Sequence, residues 1–162
     1  MYLFINTASA EFIQLALTDG QGQILVKKNI KAKYKQSEKL LPGVENLLKA
    51  YGNTPLRKLQ GIVVVKGPGS FTALRIGLTV ANTMAFGLNI PVVGVMDGEF
   101  EKIIGEGIKK LKGSIEAPHP LKIIAGQGRL DQQHGRLSQR SSYVMPEYGM
   151  EPNITIKNTI KQ

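Results

Sequence analysis

Residues 61–87 read GIVVVKGPGSFTALRIGLTVANTMAFG, and no other stretch narrows the possible folds so sharply. Ile62 to Val65 is a β-branched run without polar alternation, the pattern of a parallel strand buried on both faces. Gly67, Pro68 and Gly69 then impose a tight loop, and from Ser70 onward the apolar period becomes helical. A strand, a glycine loop and a helix start bring backbone N–H groups and the positive end of a helix dipole to one point, a geometry suited to anions. Gly67, Pro68, Gly69, Ser70, Phe71 and Thr72 are therefore a first candidate site, a phosphate-like loop in which Ser70 or Thr72 can cap the helix. The same residues serve equally as the turn that such a junction needs. Two nucleotide fingerprints are excluded. Thr72 stands where the dinucleotide motif takes Gly or Ala, and no Gly-Lys-Ser/Thr occurs.

Along the helix that follows, Ala73, Gly77, Ala81 and Ala85 recur every four residues and form one ridge of small side chains. A glycine inside a helix costs about 1 kcal/mol against alanine, and close packing is what would offset it. Ile76, Val80 and Met84 form a second apolar row, and Leu74 and Leu78 a third. The pattern predicts burial on two sides. One side is a sheet. The other is either the helix that precedes the strand or a partner chain.

The rest of the chain has a clean switch of period. Residues 2–5, 12–18 and 23–27 are strand-like, and Asp19 to Gly22 between the last two is a hairpin signal. Leu40, Leu41, Val44, Leu47 and Leu48 make the stripe of an amphipathic helix over 37–50, with Ser37 as its expected N-cap, Glu38 in its first turn, and Gly52 and Pro55 ending it. The pattern predicts a further buried strand over 91–95, a third helix over 100–111 and a last strand over 121–125. The order β-β-β-α-β-α-β-α predicts an α/β fold with a mixed sheet, three antiparallel strands followed by parallel crossovers. That is the ribonuclease-H-like arrangement, which is also one lobe of the actin-like (ASKHA) architecture. Two regions are expected: an N-terminal lobe over 1–112, and a short remnant with an extended tail over 113–162, where Pro146 and Pro152 oppose helix.

A chain of 162 residues supports one domain. Without cysteine it has no disulfide, zinc thiolate or cysteine nucleophile, which fits a cytoplasmic chain. No basic stretch followed by an apolar run opens the chain, so no secretory leader is expected. No apolar run nears the roughly 20 residues of a membrane span. The net charge is +9, which favours an acidic partner, with residues 27–39 and the segment from Arg129 to Arg140 as the basic stretches. Asn6 ends the first strand where a carboxylate would hold metal, and an amide is a poor ligand for hard cations. The strand ends at Asn6, Lys66 and Gly94 offer no carboxylate pair, which argues against a two-metal nuclease or a kinase. Asp97 reads as an N-cap. His119 and His134 lie in polar sequence without metal-ligand spacing, and Ser70 lacks a nucleophile elbow.

Residues 67–77, GPGSFTALRIG, resemble the signature of the bacterial TsaB (YeaZ) family, and the likeness continues to Val95. Phe4 to Ala8, Ser37 to Pro42, Pro146 to Tyr148 and Glu151 to Thr155 resemble further family segments. The sequence departs from the pattern at Asn6, where Asp is usual, at Ala73, where Gly is usual, and at Gly149-Met150. The family's second lobe looks trimmed. The resemblance implies an actin-like lobe with neither catalytic residues nor cofactor, a dimerisation subunit of the machinery that forms threonylcarbamoyladenosine beside the anticodon of tRNA. Its implied partners are a TsaD-like catalytic subunit, a TsaE-like ATPase, tRNA through the complex, and in isolation a second copy. The partner interface would comprise Leu40, Leu41, Val44, Leu74, Gly77, Leu78 and Ala81. Two other readings stay open: a basic RNA-binding module, and a weak nucleotide-binding protein using the 67–72 loop and Thr7.

Overall fold

The computed structural model describes residues 1–116 and 143–147. Its sheet contains β1 (Tyr2–Asn6), β2 (Phe12–Thr18), β3 (Ile24–Lys31), β4 (Ile62–Gly67) and β5 (Val92–Met96), in the spatial order β3-β2-β1-β4-β5. β2 runs antiparallel to both β1 and β3, whereas β4 pairs in parallel with β1 and β5. The α/β, ribonuclease-H-like arrangement expected from the switch of period is the arrangement found. Asp19 shapes the β2–β3 turn, its carboxylate accepting from the N–H groups of Gln21 and Gln23 at 2.8 and 2.9 Å.

Three helices cover the sheet: α1 (Gln36–Ala50), α2 (Phe71–Leu88) and α3 (Phe100–Glu116). α1 lies on β2 and β3, and α2 on β4 and β1, side by side on one face. α3 lies against β4 and β5, with Phe100 edge-on to Phe4 at 5.2 Å between ring centroids. Leu3, Ile5, Leu15, Leu17, Ile62 and Val64 share one face by register and are completely buried, and Phe4, Val63 and Val65 on the opposite face are at most 1% exposed. β1 and β4 are thus enclosed from both sides, as parallel central strands require. The core follows the parallel strands, and the edge strand β3 is mostly exposed.

Several boundaries and caps differ from the sequence expectation. β3 reaches Lys31 rather than stopping at Lys27, because its pairing with β2 continues to Phe12↔Lys31. Ser37 is not the N-cap of α1. The helix begins one residue earlier, Lys35 holds the cap position, and the buried Gln36 fixes the entry by donating from Nε2 to the Ala10 carbonyl at 2.5 Å. α1 also runs through Pro42. α3 continues to Glu116, past its expected end at 111. The expected strand at 121–125, both histidines, the basic segment from Arg129 to Arg140 and most of the tail lie outside the described residues.

Candidate functional site

The glycine loop sits where β4 hands over to α2, and its surroundings are already occupied. Gly67 has φ +141°, a conformation that favours glycine. Its carbonyl accepts from the Asp97 N–H at 2.7 Å. A β-carbon at 67 would run into the carbonyl of Glu147. At Gly69 a β-carbon would stand 2.6 Å from the Ala8 carbonyl oxygen, and that same oxygen accepts the Ser70 N–H at 2.7 Å. Ser70 takes the N-cap position, but neither its hydroxyl nor that of Thr72 closes a cap. The Phe71 ring lies under the Arg75 guanidinium, 3.9 Å from it. Of the six residues that sequence grouped as an anion loop, Gly69 packs against Ala8 and Gly67 against Glu147 of the returning segment 143–147, whereas Pro68, Phe71 and Thr72 are exposed.

That segment is tied down at both ends. Asn82 on α2 holds Val144 by two hydrogen bonds: the Val144 N–H donates to Oδ1, and Nδ2 donates to the Val144 carbonyl, each at 2.9 Å. The Glu147 N–H donates to the Lys66 carbonyl at 2.7 Å, and its carboxylate pairs with Lys66 Nζ at 3.0 Å.

At the neighbouring strand ends, Asn6 is buried and its amide is fully committed. Its Oδ1 accepts the Ala8 N–H at 2.8 Å, while Nδ2 donates to Gln14 Oε1 at 3.1 Å and to Asp97 Oδ1 at 3.0 Å. Asp97 is therefore not a helix cap but the acceptor that ties the end of β5 to the end of β1. An open cleft of about 470 Å³ lies over this network, lined by Asn6, Ser9, Phe12, Gln14, Asn29, Asp97 and Gly98. Sequence reasoning flagged Asn6 and Asp97 separately and missed Gln14 and Asn29. The signal was the register, which sets Asn6 opposite Gln14 and Gln14 opposite Asn29. Among the described residues no group of three or more His, Cys, Asp or Glu side chains could hold a metal.

The expected partner interface is mostly interior. Leu40, Val44, Leu74, Leu78 and Ala81 are at most 3% exposed, and Gly77 is buried against Thr7. These side chains fill the space between α1, α2 and the sheet, so they have no surface to offer. Leu41 is the exception, at 53% exposure. The small ridge Ala73, Gly77, Ala81, Ala85 faces the sheet, which resolves the two-sided pattern of α2. Its second side is the row Ile76, Val80, Met84 and Leu88, half-buried at the margin of the core. Thr72, Arg75, Thr79 and Thr83 flank that row on the exposed side. By length and composition α2 is apolar enough to cross a membrane; here it lies on the sheet instead.

Comparison with known proteins matches residues 30–133 to the family described as TsaD: tRNA N6-adenosine threonylcarbamoyltransferase. The TsaB threonylcarbamoyladenosine biosynthesis protein of Bacillus subtilis is 44% identical over 63 residues, 39% of this chain and 27% of that protein. The tRNA N6-adenosine threonylcarbamoyltransferase of Geotalea daltonii is 51% identical over 41 residues, 25% of this chain and 12% of that enzyme. Among solved structures, YeaZ from Pseudomonas aeruginosa superposes with a TM-score of 0.54 at 31% identity, over 59% of this chain and 43% of that one. In each case the match spans less than half the length of the relative.

Proposed function

We propose that this chain, which belongs to the TsaD family and within it to the TsaB (YeaZ) group, is a non-catalytic subunit of the machinery that makes threonylcarbamoyladenosine in tRNA. Its task is to bind a TsaD-like catalytic subunit. Transfer chemistry belongs to that partner, a TsaE-like ATPase joins the pair, and tRNA is reached through the assembly.

One observation carries the reading. The apolar row Ile76, Val80, Met84, Leu88 on α2 is only half covered by the chain's own core, and the neighbouring α1 holds Leu41 in the open. A margin of this kind, apolar at its centre and edged by threonines and an arginine, has the anatomy of a protein interface. The α1–α2 face that the TsaB resemblance implicates remains the docking face, but its contact residues move outward. Leu41, Ile76, Val80 and Met84 replace the interior Leu40, Val44, Leu74, Gly77, Leu78 and Ala81. A second copy is the competing occupant of the same margin.

The test is co-purification of this chain with the TsaD-like protein of its own organism, followed by mass determination in solution. A one-to-one complex is expected. A chain that stays a monomer, or pairs only with itself in the presence of that protein, overturns the proposal.

A further inference from the structure

The turn between β3 and α1 contains a residue that its backbone does not favour. The Lys35 N–H donates to the Ala32 carbonyl at 2.7 Å, closing a turn over Lys33 and Tyr34, and Tyr34 has φ +59°. A turn position in the left-handed region ordinarily goes to glycine or asparagine, because a β-carbon there crowds the backbone. Tyr34 is also 87% exposed, so the ring contributes nothing to the core. A large aromatic side chain kept in a strained conformation and turned to solvent calls for an explanation outside folding.

Its surroundings supply one. Residues 27–39 contain six lysines and a single glutamate. Lys33 Nζ lies 5.7 Å from the centre of the Tyr34 ring and pairs with Glu11 at 3.5 Å. Lys39 donates to the Lys31 carbonyl, a neutral group that leaves the charge uncompensated. Lys28, Lys31 and Lys35 have no acidic partner among the described residues. The exposed sheet edge therefore has uncompensated positive charges on both its faces, Lys28 on one and Lys31 on the other by the strand's alternation, with Lys35 and an aromatic ring in the turn beyond its end. Beyond that ring its large exposed apolar neighbours are Leu25 on β3 and Phe12 opposite Lys31, 37% and 39% exposed and set among lysines, rather than the central apolar cluster that anchors a protein interface. Lysines that follow a phosphate backbone and an exposed ring on which a base can stack are the two parts of single-strand recognition.

We propose that the β3 edge and the Tyr34 turn bind unpaired RNA, with Lys28, Lys31 and Lys35 on phosphates and the Tyr34 ring stacked on a base. That the strand is RNA rather than DNA rests on the tRNA reading above; the preference for an unpaired strand rests on the turn itself.

Fluorescence anisotropy of the full chain, without any partner protein, tests this with a labelled unstructured oligoribonucleotide, the same oligodeoxyribonucleotide and an RNA duplex. The expected results are binding of the single-stranded RNA ahead of the other two, and an affinity falling with salt at a log–log slope of about −2. Tyr34→Gly should weaken binding about tenfold or more while unfolding at or above the parent's temperature, since glycine relieves the backbone. Lys28→Gln/Lys31→Gln/Lys35→Gln should flatten the salt slope. No binding of the single strand at 50 mM salt, unchanged affinity in Tyr34→Gly, or equal binding of duplex or DNA each overturns the proposal. None of these failures touches capture of the TsaD-like subunit, which is measured without RNA.

Discussion

Gly77 on α2 lies directly against Thr7 at the end of β1, so that a β-carbon at position 77 would overlap the Thr7 hydroxyl. That hydroxyl is fully buried and has no hydrogen-bond partner among the described residues. The glycine that looked like a helix defect in the sequence is thus the point of closest approach between α2 and the sheet. Gly77→Ala gains about 1 kcal/mol of helix propensity. It loses more to the forced separation, since overpacking costs about 1–3 kcal/mol and here the obstacle is a branched side chain on a central strand's end. We expect Gly77→Ala to be destabilising overall by up to about 2 kcal/mol in urea titration. Gly77→Leu should leave no folded chain.

The same contact predicts the behaviour of its other half. Thr7→Val keeps the shape and removes a buried hydroxyl that nothing satisfies, so stability should hold or rise by up to about 1–2 kcal/mol. Thr7→Ala opens room at the obstacle, and the double variant Thr7→Ala/Gly77→Ala should be less destabilised than the sum of the two singles. Strict additivity in that cycle would mean that the two residues do not share the space described.

The Asn6–Asp97 bond separates an amide from a carboxylate at the same position. Asn6→Asp would set two carboxylates about as close as the present 3.0 Å hydrogen bond, with the Gln14 oxygen still facing them. At neutral pH the variant should lose about 1–3 kcal/mol, the cost of an unfavourable buried polar contact. Protonation of one carboxylate would restore a donor between the two oxygens. The deficit relative to the parent should therefore shrink as the pH falls toward about 4, and thermal melts across pH 4–8 would show it. A deficit that grows on acidification would contradict this account of the network.

How much of this was legible in the sequence depends on the range over which each feature is decided. Strand and helix types followed from local period, because Ile62 to Val65 and the Leu40–Leu48 stripe can bury their apolar atoms in only one way. The caps were decided by distant partners. Gln36 reaches the Ala10 carbonyl and Asp97 reaches Asn6, and no local preference of Ser37 or Asp97 announces either bond. The residues expected at the interface are mostly interior for a related reason. Periodicity shows that α2 is apolar on two sides, but not which side the sheet takes. The small ridge goes to the sheet because only Ala and Gly let the helix backbone come close, and this pushes Ile76, Val80 and Met84 to the margin.

Two substitutions on α2 should therefore act differently although they lie two positions apart. Leu78 is buried, and Leu78→Ala should cost about 2–5 kcal/mol of stability as a core cavity. Val80 is half-buried. Val80→Glu can turn its carboxylate to water, so it should cost stability less than Leu78→Ala does, yet abolish capture of a TsaD-like subunit by a desolvated charge. Pull-down and thermal unfolding, measured on both variants, should give opposite rankings.

Two attachments compete as the main restraint on residues 143–147: the paired hydrogen bonds from Asn82 to Val144, and the Lys66–Glu147 ion pair. The ion pair has its carboxylate 57% exposed, so water and salt screen it and its worth is small. The Asn82 bonds satisfy a backbone N–H and a backbone C=O at once in a partly buried setting, and losing both leaves those groups to find water. Asn82→Ala should therefore release the segment, seen as faster amide exchange at Val144 and Glu147 and as new proteolytic cleavage within 143–147. Glu147→Gln should leave both nearly unchanged, because the Glu147 N–H still reaches the Lys66 carbonyl. If Glu147→Gln instead frees the segment and Asn82→Ala does not, the charge pair is the true anchor and the hydrogen-bonded clasp is incidental.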